Sequence, residues 1–218
     1  AAIGIALDGD ADRAIVVDEH GEVVDGDVVL AMCGADMLQK GELRQATVVA
    51  TVMSNLGLER ALAARGGRLL RTPVGDRYVV EAMREGGYNL GGEQSGHLIF
   101  LEHCSTGDGI VAGLQVLALM LRSGKPLSEL ARGAMERFPQ VLLSVRLPER
   151  RPLEEMAGLR EASERVRREL GQVGRLVVRW SGTEPKLRVM LEGPDEDRLR
   201  GWASDLVDRA RADLGGGV

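Results

Sequence analysis

The stretch TVVATVMSNLGLERALAARGGRLLRT, residues 47–72, sets the fold class. Its first seven residues form an uninterrupted, mostly β-branched apolar run, the pattern of a buried strand. Residues 55–65 carry helical spacing of Leu and Ala, and residues 68–71 return to a strand pattern after Gly66 and Gly67. The same alternation continues outward. Residues 75–85 read as a helix and 89–92 as a strand. Residues 98–101 (LIFL) are a further strand, 108–122 a long helix with Asp108 near its start, and 127–138 a short helix. Upstream, residues 3–7 and 14–17 are apolar runs separated by the charged loop DGDADR (8–13), and HGE at 20–22 supplies a turn. Residues 27–37 have helical spacing, with Asp27 placed to cap them. Strands alternating with helices of this length indicate an α/β layer domain.

At Pro139 the composition changes. Residues 141–147 read as a strand, 153–170 as a helix, 176–179 and 187–192 as strands, and 196–214 as a helix. That order predicts a small α+β domain of antiparallel strands with helices on one face. The 218 residues suffice for one large or two ordinary domains. The opening AAIGIALDGDADR lacks Met and begins on a strand pattern, which predicts further chain upstream.

Hydrophobic residues make up 44% and charged residues 28%, a globular balance. The formal net charge of −5 argues against general nucleic-acid binding, which needs a basic face to release counterions. The longest apolar stretch, 110–121, is interrupted by Gly113 and Gln115 and is too short to span a bilayer. Two cysteines, Cys33 and Cys104, lack metal-site spacing and read as reduced thiols of a cytoplasmic protein.

Three loops carry chemistry. In DGDADR, Asp8, Asp10 and Asp12 repel one another unless a hard cation intervenes, and oxygen-only ligands select Mg²⁺ or Ca²⁺. An EF-hand is excluded because Arg13 stands where its loop needs glycine and residues 14–17 read as a strand. A solvated acidic turn has the same composition; magnesium is the reading preferred. In GEQSGH (92–97), Glu93 and Ser95 suit adjacent sugar hydroxyls and His97 suits proton transfer, although an isolated loop histidine is more often exposed or locally hydrogen-bonded. The TPVGD turn (72–76), with Thr72, Val74, Gly75 and Asp76, has a similar capacity to reach a ligand, or merely starts a helix. In RWSGTEPKLR (179–188), Arg179, Ser181, Gly182, Thr183 and Arg188, with Lys186 nearby, suit a phosphate dianion, and equally a hairpin turn. The spacing is not that of a Walker loop.

In this order the three loops resemble those of the α-D-phosphohexomutase superfamily, and the resemblance covers essentially the whole chain. DGDADR is similar to its metal loop, GEQSGH to its sugar loop, and RWSGTEPKLR to its last-domain phosphate loop. Gln94 and VGDRYV are most similar to the superfamily's glucosamine-phosphate branch. The resemblance implies a phosphohexomutase-type fold: residues 1–21 as the tail of domain two, 22–138 as α/β domain three, and 139–218 as a small α+β, TATA-box-binding-protein-like domain four. It implies an isomerase converting glucosamine 6-phosphate to glucosamine 1-phosphate, through a phosphoserine and a bisphosphorylated sugar, for amino-sugar and peptidoglycan-precursor synthesis. Asp8, Asp10 and Asp12 would bind Mg²⁺, and Arg13 would lie near the phosphoserine. Glu93, Ser95 and His97 would meet the sugar, and Arg179, Ser181, Gly182 and Thr183 the phosphate that is not transferred. The family's Ser-His-Asn-Pro loop does not occur in these residues. Any homo-oligomer would form through the domain upstream. Two alternatives remain at this point: glucose or mannose phosphate specificity, or a sugar-phosphate or cation-binding module without catalysis.

Overall fold

The structure, a computed structural model, describes residues 1–182 and 184–215. The chain divides into two units, Ala1–Arg137 and a second from Phe138 onward.

The first unit begins with an antiparallel sheet of β1 (Ile3–Leu7), β2 (Ala14–Asp18) and β3 (Val23–Val24), in the order β1-β2-β3. Pairing runs from Ile3 opposite Asp18 to Leu7 opposite Ala14, so residues 8–13 form the connection closing this pair. Next come α1 (Gly26–Lys40), β4 (Thr47–Thr51), α2 (Leu56–Ala63), β5 (Arg68–Thr72), α3 (Asp76–Gly86), β6 (Leu90–Gly92), β7 (Leu98–Phe100), α4 (Gly109–Ser123) and α5 (Leu127–Ala134). The second sheet has the order β5-β4-β6-β7. β4 lies parallel to β5 and β6, and β7 closes the edge antiparallel to β6. All five residues of β4 are buried, as its apolar run requires of a central strand covered on both faces. Val48, Ala50, Leu58, Leu62, Leu90 and Leu98 share the main core with Val29, Leu30 and Cys33 of α1.

The start of α1 corrects the sequence reading. Asp25, not Asp27, is the cap, accepting from the Val28 N–H at 3.1 Å. Asp27 is fully buried and accepts from the Asn55 N–H at 2.8 Å. Asp108, read only as lying near the start of its helix, caps α4, accepting from the N–H groups of Ile110 and Val111.

In the second unit, β8 (Gln140–Arg146), β9 (Arg175–Trp180) and β10 (Lys186–Glu192) form an antiparallel sheet ordered β8-β10-β9, packed with α6 (Ala157–Leu170) and α7 (Glu196–Asp213). Leu187, Val189 and Leu191 of β10 enter the core with Leu159, Val166, Leu199 and Leu206 of the helices. By strand alternation the opposite face carries Lys186, Arg188, Met190 and Glu192. The helix expected over 153–170 is broken. Leu153–Glu155 is a 3₁₀ turn, and Met156, buried at φ −90° and ψ 84°, precedes α6. The Gly158 and Leu159 N–H groups then donate to the Asp213 carboxylate, which satisfies the helix start from the end of α7. Among the described residues no single helix is long and apolar enough to cross a membrane.

Candidate functional site

The 8–13 loop turns sharply at Ala11, whose φ of 59° is a left-handed conformation that a side chain disfavours. The Ala11 N–H donates to the Asp8 carbonyl, and the Ala11 carbonyl accepts from the Gly109 N–H at 2.9 Å. The fold therefore stabilises that turn from the start of α4. The result is a cluster: one carboxylate oxygen from each of Asp8, Asp10 and Asp12 lies within 4.8 Å of the others. Arg13 Nε sits 3.3 Å from Asp8 Oδ2 and 3.5 Å from Asp12 Oδ1. Among the described residues Asp10 has no hydrogen-bond or ion-pair partner. Asp12 Oδ1 is buried and accepts no hydrogen bond, an unmet demand of the kind a bound cation satisfies. Three hard oxygens with room for water suit Mg²⁺, so the residues present fit this ion.

The 93–97 loop is stitched to that cluster by backbone. The Ala14 N–H donates to the Gly96 carbonyl at 3.1 Å, and Arg13 bridges His97 in antiparallel fashion. On its other side the Gly26 N–H donates to the Gln94 carbonyl at 3.1 Å. Glu93 Oε1 accepts from the Gly75 N–H at 3.1 Å, while Ser95 Oγ lies 3.5 Å from Glu93 Oε2. The 72–76 turn thus joins the site through Gly75. Thr72 is buried with its hydroxyl donating to the Pro73 carbonyl, Val74 is half-buried, and Asp76 is exposed at the start of α3.

His97 departs most from its sequence reading. It is only 3% exposed. Its Nδ1 lies 3.2 Å from Asp12 Oδ2, and its Nε2 is buried without a hydrogen-bond partner. A Cβ added at Gly107 would lie 2.2 Å from that Nε2, so glycine at 107 is what lets the ring occupy this place.

Gly26 and Gly107 escape sequence reasoning. The available signal for Gly26 is a glycine between two aspartates at a helix start; for Gly107 there is none. Gly26→Ala tests the first close approach. Its Cβ would lie 2.1 Å from the Glu93 carbonyl oxygen, 3.0 Å from the Gly96 nitrogen and 3.1 Å from the Gln94 carbonyl carbon. All three are backbone atoms, so α1 or the loop must move. We expect a loss of about 1–3 kcal/mol in denaturant unfolding, with faster amide exchange at Gly96. Unchanged unfolding would mean that the loop yields freely.

The second unit presents cations. Arg179 on β9 and Arg188 on β10 are direct cross-strand partners, and Ser144 of β8 lies opposite Arg188 on its other side. Both arginine Nε atoms are buried without hydrogen bonds. Burial, and secondly the charge of Arg188, holds the Arg179 guanidinium below the usual arginine range. Like charges directly opposite on neighbouring strands are destabilising, and an anion between them would offset this. Ser181 is buried, with its N–H donating to the Lys186 carbonyl, and Gly182 is exposed. Thr183 lies outside the described residues. Lys186 pairs with Glu184 at 2.9 Å, which holds that carboxyl below its ordinary range.

Two family descriptions match the chain: "Phosphoglucomutase/phosphomannomutase, alpha/beta/alpha domain III" over residues 25–138, and "Phosphoglucomutase/phosphomannomutase, C-terminal domain" over residues 142–209. A phosphoglucosamine mutase of Sorangium cellulosum is 61% identical over 216 residues, 99% of this chain and 45% of that protein. One from Anaeromyxobacter dehalogenans is 58% identical over 215 residues, again 99% of this chain and 47% of the relative. The chain therefore spans about half the length of the curated relatives it matches. In fold it is similar to a phosphoglucomutase/phosphomannomutase family protein from Burkholderia thailandensis, with TM-score 0.79, 24% identity, and coverage of 99% of this chain and 48% of that one. It is also similar to Aspergillus fumigatus N-acetylphosphoglucosamine mutase solved with GlcNAc-6P and magnesium, with TM-score 0.77, 21% identity, and coverage of 96% and 48%. With both family descriptions covering nearly all of residues 25–209, the chain belongs to the phosphoglucomutase/phosphomannomutase family.

Proposed function

We propose that this chain supplies the metal, sugar and distal-phosphate subsites of a phosphoglucosamine mutase. Such an enzyme interconverts glucosamine 6-phosphate and glucosamine 1-phosphate through a phosphoserine and a bisphosphorylated sugar. The observation that carries the reading is the backbone stitching of the Asp8–Asp10–Asp12 cluster to the Glu93–His97 loop. The identity of 58–61% to phosphoglucosamine mutases over 99% of the chain supports glucosamine as the sugar. On this reading residues 1–21 end domain two, 22–138 form domain three, and 139–218 form domain four. The serine that carries the phosphate is supplied from outside these residues.

The roles of the side chains follow from their partners. Asp8, Asp10 and Asp12 would hold Mg²⁺, which when bound neutralises charge on the transferring phosphoryl group. Arg13, already paired with Asp8 and Asp12, adds a guanidinium beside the phosphoserine. His97 orients Asp12 through Nδ1. Glu93 is aimed by the Gly75 N–H, leaving its second oxygen and the Ser95 hydroxyl for adjacent sugar hydroxyls. The 72–76 turn lines the sugar from the side of Gly75. Arg179, Arg188, Ser181, Gly182 and Thr183 hold the phosphate that is not being transferred, and substrate affinity spent there serves alignment. The reaction belongs in the cytoplasm, where the free thiols Cys33 and Cys104 stay reduced. Buried Cys33, its pKa pushed up to about 12 by desolvation, is chemically inert.

The test is turnover by the natural polypeptide that contains this chain, offered glucosamine, glucose and mannose 6-phosphates in turn. The expected result is Mg²⁺-dependent turnover with the highest kcat/KM for glucosamine 6-phosphate, and none by residues 1–218 alone. A preference for mannose or glucose phosphate would move the chain to a sister specificity. Absence of mutase turnover with all three would leave a binding module.

A further inference from the structure

The anion-binding reading of residues 179–188 leaves open what shapes the loop, since Gly182 imposes little on it. An added Cβ there would meet nothing within 4 Å. The answer lies on a different segment, in the 147–152 connection that follows β8. Arg150 Nη2 lies 2.6 Å from the Ser181 carbonyl oxygen, 3.3 Å from that of Gly182 and 2.7 Å from that of Glu184. One guanidinium nitrogen thus gathers three acceptors of the loop. The two segments are joined at further points. The Leu147 N–H donates to the Pro185 carbonyl at 3.1 Å, and the Trp180 indole N–H donates to the Arg151 carbonyl at 2.9 Å.

Carbonyl oxygens repel a phosphate, so a loop that binds one must turn them away. In a planar trans peptide the C=O and the following N–H point in opposite directions. Holding the Ser181 carbonyl on Arg150 therefore turns the Gly182 N–H to the other side of the loop, as a donor for an anion. We propose that Arg150 is a positioning residue for the anion site: it collects the loop's carbonyls and thereby presents its donors. This rests on the reading that residues 179–188 bind a phosphate.

Inorganic phosphate titrated into the 218-residue chain at low ionic strength, followed by NMR, tests it with wild type, Arg150→Met and Arg150→Gln. Wild type should bind saturably. Arg150→Met should bind about tenfold more weakly, with the melting temperature nearly unchanged and a shifted Gly182 amide resonance even without phosphate. Arg150→Gln is uncharged but keeps an NH₂ donor for the carbonyls, so it should retain part of the affinity. A wild type that does not bind phosphate would overturn the anion reading itself. If wild type binds and Arg150→Met binds equally well, the positioning role alone falls. Equal losses in the Met and Gln variants would assign the effect to charge, and an unchanged Gly182 amide would show that the loop never depended on Arg150; either result overturns the proposal.

Discussion

Asp10→Asn should remove most of the chain's response to Mg²⁺ while leaving the metal-free protein at least as stable as wild type. Asp8 and Asp12 each have Arg13 nearby, and Asp12 also has His97. Asp10 has neither, yet one of its oxygens lies within 4.8 Å of the oxygens of both neighbours. Its charge therefore raises the energy of the empty loop and lowers that of the cation complex. Removing one unit charge from beside a divalent ion, even with water-like screening, weakens binding by about thirtyfold. Calorimetric titration of Mg²⁺ measures the affinity, and thermal melting with and without the ion measures the coupling. On the proposed mutase reading a phosphoserine oxygen from outside these residues completes the ion's ligands, so weak binding is expected of the wild-type chain; tight binding would contradict that reading. An Asp10→Asn variant that binds as wild type does would show that Asp10 is a solvated bystander and the cluster an acidic turn.

The same loop shows what composition carries. Three carboxylates in six residues read as a candidate hard-cation loop, and the fold brings one oxygen of each within 4.8 Å of the others. The all-buried β4 is equally legible, because a continuous apolar run between turn signals has few other uses. The failures share a different cause, namely partners distant in sequence. Asp25 and Asp27 are equally good caps by type. What separates them is the Asn55 N–H drawing Asp27 inward and the 93–96 loop seated against Gly26. Nothing local marks Met156 as a break, for methionine favours helix. The break follows from Asp213, which takes the Gly158 and Leu159 N–H groups from 55 and 54 residues away. His97 reads from its chemistry as a proton carrier, whereas its burial depends on Gly107 and Asp12. Arg150 carries no signal at all, since its partners are backbone carbonyls.

Arg179→Ala should cost phosphate affinity about tenfold to a hundredfold, the worth of one or more hydrogen bonds from a charged donor. In the absence of phosphate it should not lower the stability of the second unit. Arg179 faces Arg188 across the β9–β10 pair, and neither Nε has an acceptor. Desolvation and the neighbouring charge both disfavour the charged guanidinium in the folded chain. A base whose folded pKa is lowered destabilises the fold wherever it remains protonated, which for arginine includes the whole physiological range. Change of pH near neutrality therefore cannot relieve this strain, whereas a bound dianion can. Alanine relieves it too, at the expense of the packing of the arginine stem. Melting curves with and without inorganic phosphate separate the two effects. Wild type should gain stability from phosphate; Arg179→Ala should start level or higher and gain little. An alanine variant that melts several degrees lower without phosphate, yet still responds to the ion as wild type does, would make Arg179 a packing residue. The anion would then have to be held by Arg188 and the turn alone.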